Sequence, residues 1–378
     1  MKYCILLLFL LLLPGCTGSR EAAVQTTAPE SLETTAVTAP AEPTPPDPIR
    51  ELLDQMSLEE RVGQLFLARC DDAAALEQIE TYRPGGFLLF GQDFQNQTPE
   101  SFREKIAAYQ AASVLPLLIA VDEEGGTVCR VSSNPSFRER RFSSPRQLYS
   151  SGGMEQVLSE ENQKCALLKG LGINVNLAPV CDISTDRNAF MYDRSLGQDV
   201  RTTCDFAANM VTLADSYLLG TCLKHFPGYG NNADTHTGMA VDSRSLEELE
   251  SKDLLPFAAG IQAGCDAILI SHTIVECFDP ETPASLSPAV HDYLRETMGF
   301  EGVIVTDDLV MQAITDAYGA GEAAVLAVLS GNDLLCSTEF ATQYEAVLAA
   351  VLDGRISIDV LNAAVRNVLQ WKIDLGLI

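Results

Sequence analysis

Basic residues are scarce in this chain: 25 Lys and Arg stand against 52 Asp and Glu, for a formal net charge of −27 over 378 residues. So acidic a molecule is a poor partner for phosphate backbones and for anionic lipid, which argues against nucleic-acid binding and favours a neutral ligand. A Gly-x-Gly-x-x-Gly turn, a Walker sequence and a Gly-x-Ser-x-Gly elbow are all missing, so phosphate cradling and serine hydrolysis lose support. Eleven cysteines are present, but none forms a Cys-x-x-Cys pair or a metal-like spacing. Setting aside Cys4 and Cys16, the remaining nine are an odd number, and several, such as Cys181, Cys222, Cys265 and Cys336, sit in apolar runs as small core residues. Neither a metal nor a cofactor is expected.

The apolar run 5–13 follows Lys2 and is far short of the ~20 residues that cross a bilayer core. It ends in Leu13-Pro14-Gly15-Cys16, so 1–15 has the layout of a secretory signal, and the ending resembles a bacterial lipobox whose cysteine is acylated. Residues 16–48 are rich in Thr, Pro and Ala and would form a lipid-bearing tether, extended by its prolines. The expected location is outside the cytoplasm, held to the membrane through Cys16. From 49 to 378 no second linker appears, which suits one large domain of α/β-barrel size.

Ser57-Leu58-Glu59-Glu60 is a capping-box pattern opening a helix whose Val62, Leu65 and Phe66 share a face. Thereafter short apolar runs at 86–90, 115–121, 173–180, 221–224, 267–270, 302–305 and 333–335 alternate with segments of helical length and spacing. An eighth strand at 64–68 competes with a continuation of the first helix. Strands without polar alternation indicate a buried parallel sheet, which favours a TIM-type (β/α)8 barrel over a doubly wound open sheet.

Polar residues follow these strands repeatedly. One run enters Asp122-Glu123-Glu124-Gly125-Gly126, another Lys224-His225-Phe226-Pro227-Gly228, a third Ser271-His272 and a fourth Thr306-Asp307-Asp308. Barrel active sites form at strand C-terminal ends. Carboxylates in such a mouth suit glycoside hydrolysis, where one attacks and another group protonates the leaving oxygen; metal binding is the rival reading of the same His and Asp residues.

The motifs resemble those of glycoside hydrolase family 3, within it the β-N-acetylhexosaminidases, over most of 50–378. The likeness is carried by 58–66, by 121–126, by Asp193-Arg194-Ser195-Leu196-Gly197, by Lys224-His225-Phe226-Pro227-Gly228, and by 299–309 with its Val305-Thr306-Asp307-Asp308-Leu309. It implies Asp307 as the nucleophile, with Asp308 a structural carboxylate. It implies His236 as general acid/base in Asp234-Thr235-His236, with Asp234 orienting the ring. Sugar contacts carried over by the resemblance are Asp122, Arg130, Arg194, Lys224, His225 and His272. Glu123, Thr127, Tyr229 and Asn231 depart from the usual family residues. Gly228, Gly230 and Gly238 suggest a mobile loop that closes over a bound sugar.

The resemblance therefore implies exo-acting, retaining release of terminal β-GlcNAc from cell-wall fragments or related glycans. A β-glucosidase, a phosphorylase on the same scaffold, and a sugar-binding lipoprotein without turnover stay open beside it.

Overall fold

The computed structural model describes residues 47–232 and 238–378. Cys16, Asp234 and His236 lie outside the described residues. Eight strands pair in parallel: β1 Phe66–Arg69, β2 Gly86–Leu89, β3 Leu118–Val121, β4 Val175–Asn176, β5 Gly220–Phe226, β6 Ala267–Ile270, β7 Val303–Thr306 and β8 Leu335–Ser337. Each strand pairs with the next in sequence from β1 to β7, and β8 returns to β1. The ring closes between β7 and β8, where Thr306 N donates to Leu334 O at 3.1 Å and Asp333 N to Ile304 O at 2.9 Å. Such closure replaces the open-sheet alternative with a (β/α)8 barrel.

The strands are buried on both faces. Leu67, Leu88, Leu118, Ala120, Leu269 and Val305 belong to the core inside the barrel, while Phe66, Ala68, Phe87, Ile119 and Ile304 pack outward under the helices. This alternation of two apolar faces is why the runs read as continuous apolar sequence. Helix Ile358–Asp374 seals the bottom, sending Val368 and Trp371 into the inner core. Gly220 permits that seal, since a Cβ there would stand 2.9 Å from Trp371 Cζ2.

The helix opened by the capping box decides the competition at 64–68 in favour of the strand. Ser57 accepts from Glu60 N and Glu60 accepts from Ser57 N, so the capping box forms, but the helix is only Leu58–Gln64. Phe66 then opens β1 and packs on the rings of Phe340 and Tyr344 at 5.3 and 6.2 Å. Those partners lie some 270 residues away in sequence, beyond the reach of a local periodicity.

Gly228 and Gly230 lie at the start of the loop that follows β5. Both have positive φ and sit against other groups: a Cβ on Gly228 would meet the Asp253 Cβ at 2.7 Å, and one on Gly230 the Arg244 guanidinium at 2.9 Å. Arg244 also donates to Gly228 O at 2.9 Å and pairs with Asp242 and Asp253. These glycines serve close packing under a guanidinium clamp.

Candidate active site

A cavity of about 840 Å³ opens at the C-terminal end of the strands. Its wall includes Asp122, Arg130, Arg194, Lys224, His225 and Asp307, so six of the residues singled out in the sequence are brought together there. His272 is not part of that wall. Its Nε2 faces Asp308 O at 3.0 Å and its Nδ1 faces Ser285 Oγ at 2.7 Å. Carbonyl oxygen only accepts, so Nε2 carries the proton and Nδ1 accepts from the serine. His272 thus steadies the backbone beside Asp307.

The β3–β5 wall is a network of charges. Asp122 follows β3 and accepts from Lys224 Nζ at 2.6 Å, with Arg130 Nη2 3.7 Å from its other oxygen. Glu124 takes Arg194 in a forked pair, Nε to Oε2 at 3.0 Å and Nη2 to Oε1 at 2.7 Å, and also meets Lys224 Nζ at 2.7 Å. Burial by itself would raise the Glu124 pKa, yet Arg194 and Lys224 outweigh it and hold the carboxyl well below its usual range. For Lys224 burial acts downward, and Asp122 and Glu124 overcome it, raising the pKa. These groups therefore stay ionised and hold their donors in place for a polar ligand.

Lys224 and His225 are adjacent in β5, and the peptide between them is cis. His225 Nδ1 lies 2.7 Å from Asp182 Oδ2, and its Nε2 lies 3.2 Å from Arg194 Nη2. A guanidinium only donates, so Nε2 accepts and the ring proton sits on Nδ1 toward Asp182. Asp182, buried to 1% exposure, also accepts from the backbone nitrogens of His225 and Tyr229. Sequence reasoning missed Asp182 and Glu124 as members of the site. The signal available for Glu124 was its place in the 121–126 block; Asp182 gave none.

Of the four departures from the family residues, Glu123 is structural. It accepts from Arg130 N and Val131 N at 2.7 Å each, and from both the amide and hydroxyl of Ser132. It thereby folds back the short hairpin Glu123–Gly125 and Val128–Cys129 that delivers Arg130. Thr127 lines the cavity, Tyr229 is buried 5.6 Å from the His225 ring centre, and Asn231 Oδ1 accepts from Ser184 Oγ at 3.3 Å.

Asp307 follows β7, its amide bonded to Ile270 O at 3.2 Å and its Oδ1 accepting from Asp308 N at 2.9 Å. A rigid sheet thus carries the carboxylate at the cavity wall. Asp308 turns instead to Thr338 and Val310 N; its burial pushes the pKa up, against the pull of the Thr338 hydroxyl. All nine described cysteines are free, and burial pushes the thiols of Cys181, Cys222, Cys265 and Cys336 up, in keeping with core roles. Among the described residues Cys70, Asp72 and Asp93 form one group of possible metal ligands, and there Lys105 already binds both Asp72 oxygens.

The glycosyl hydrolase family 3 N-terminal domain matches residues 57–371. A beta-hexosaminidase of Xanthomonas campestris pv. campestris is 32% identical over 298 residues, which is 76% of this chain and 86% of the relative. The solved family 3 beta-N-acetylglucosaminidase of Paenibacillus sp. str. FPU-7 is 31% identical with a TM-score of 0.79; it covers 85% of this chain, which spans only 63% of that structure. A beta-N-acetylhexosaminidase structure from Beutenbergia cavernae is 27% identical with a TM-score of 0.74, covering 84% of this chain and 98% of its own.

Proposed function

The chain belongs to glycosyl hydrolase family 3 and is a glycoside hydrolase, and from that premise we propose that it is an exo-acting, retaining β-N-acetylhexosaminidase releasing terminal β-GlcNAc. The observation that carries the reading is a carboxylate, Asp307 after β7, on the wall of a cavity whose β3–β5 side bears the donors of Arg130, Arg194 and Lys224. β3 and β7 face one another across an eight-strand ring, so a sugar held by its hydroxyls and acetamido group on the β3–β5 side turns its anomeric carbon toward Asp307. The barrel is sealed below by Trp371, so the chain end of a glycan enters and the remainder extends outward.

In this reading Asp307 attacks the anomeric carbon as His236 gives its proton to the departing glycosidic oxygen, leaving the sugar inverted once and α-linked to Asp307. Neutral His236 then takes a proton from water, which attacks the same carbon, frees Asp307 and restores the β configuration. Asp234 holds the imidazole proton on the far nitrogen and stabilises the imidazolium between the steps. The cell-wall origin of the substrate, the Cys16 lipid and a location outside the cytoplasm belong to the same proposal, supported by the N-terminal sequence pattern.

A panel of aryl β-glycosides, assayed with and without phosphate, tests it. N-acetylglucosaminide is expected to be cleaved fastest, independently of phosphate, and Asp307→Ala to lower kcat by at least about 1,000-fold. Faster glucoside cleavage, or a dependence on phosphate, would replace the substrate or the acceptor in this scheme. Equal rates for wild type and Asp307→Ala would overturn the mechanism, and inactivity of both would leave a sugar-binding protein.

A further inference from the structure

Arg69 is the last residue of β1 and lines the cavity. Its guanidinium carbon stands 3.8 Å from the centre of the Phe90 ring, and that of Arg130 stands 5.1 Å from the same centre. The Nε of both arginines is buried without a hydrogen bond. Every other Lys and Arg of the cavity wall has a carboxylate within reach: Arg130 has Asp122 at 3.7 Å, Arg194 has Glu124 at 2.7 Å, and Lys224 has both acids. Arg69 forms no such pair among the described residues. Asp93 feels its charge, but that carboxylate is turned onto Phe90 N at 2.6 Å. In a chain with 52 acidic and 25 basic residues, a cavity cation left without an acid stands against the composition.

Stacking on an aromatic face fixes a guanidinium plane while its edge stays available, and that edge matches a carboxylate in two parallel hydrogen bonds. We propose that Arg69, braced by Phe90 and assisted by Arg130, forms a subsite for a carboxylate carried by the substrate. The proposal rests on the cavity being the place of glycoside cleavage. In the ring β1 lies across from β5, away from Lys224 and His225. A carboxylate at β1 therefore belongs to the part of the substrate pointing away from that wall: the leaving group, or the carbon 6 end of the sugar.

The test compares kcat/KM of the full chain and of Arg69→Gln on three aryl β-N-acetylglucosaminides. One has an uncharged aryl group, one a carboxylate on the aryl group, and one the uncharged aryl group with carbon 6 of the sugar oxidised to a carboxylate. Arg69→Gln is expected to lower kcat/KM for one carboxylate substrate about 10-fold more than for the uncharged one, with Arg69→Lys recovering part of the difference. The arm that moves identifies the source of the carboxylate. Equal losses on all three would make Arg69 a brace for Phe90 and overturn the subsite. Failure of wild type on the uncharged substrate would instead count against the proposed function. Calorimetric binding of the carboxylate glycosides to wild type and Arg69→Gln then decides the subsite: a matching affinity loss supports it, and unchanged affinity overturns it.

Discussion

Lys224 and Lys372 are both buried almost completely, at opposite ends of one barrel, and their surroundings act on them in opposite directions. At the mouth, Lys224 touches Asp122 and Glu124, and its pKa is raised despite burial. At the base, Lys372 belongs to the sealing helix itself and has Gln64 Oε1 at 2.6 Å as its hydrogen-bond partner, and burial pushes its pKa down to about 7. An amide dipole does not replace a carboxylate: the carboxylates keep the Lys224 ammonium charged out of water, whereas the amide leaves Lys372 easy to deprotonate. The mouth therefore holds its buried ammonium with two carboxylates, Asp122 and Glu124, whereas the base holds Lys372 with the Gln64 amide.

The comparison breaks most readily at the mouth. Glu124→Gln leaves Arg194 and Lys224 sharing one acid fewer, and is expected to cost about 3 kcal/mol of stability in urea unfolding together with most of the activity. A variant as stable as wild type would show that Asp122 alone suffices for the wall. At the base, Gly220→Ala forces a Cβ against Trp371 and is expected to cost about 1–3 kcal/mol, while the activity of the folded fraction is kept. Loss of activity without loss of stability there would mean that the two ends are coupled.

The smallest effect is a pH dependence. Lys372 has a folded pKa of about 7, below the ordinary lysine value of about 10.4 in the unfolded chain. Between those two values the unfolded state binds more protons, so stability contributed by this residue rises with pH across that window and is lowest below pH 7. Relative to Lys372→Met, wild-type unfolding free energy is expected to gain about 2 kcal/mol between pH 7 and 9. A constant difference between the two proteins would show that Lys372 stays charged in the fold.

Much of this was legible before any coordinates. Seven strand runs could be placed because residues buried on two faces are apolar throughout, and Asp307 because it follows such a run directly. Phe66 stayed between helix and strand because Leu65 and Phe66 extend a helical spacing that only Phe340 and Tyr344 interrupt. Glu123 and Glu124 are the clearest limit. They are adjacent, acidic and buried, yet one ties a hairpin through backbone amides while the other binds Arg194 and Lys224. His225 and His272 divide in the same way, one on the cavity wall and one behind it.

Composition, apolar runs and the residues that follow them were enough to favour an acidic (β/α)8 barrel with carboxylates and histidines at its mouth, since burial and local spacing are properties of a segment. Which acid meets which base was decided only by the closed ring, which brings Glu124 to partners 70 and 100 residues distant. Charge pairing acts over a few ångströms of space and takes no account of separation along the chain. Arg69 is part of that lesson: in sequence it is one more arginine at the end of an apolar run, and only the folded barrel shows it as a cavity-wall cation that pairs with no carboxylate among the described residues.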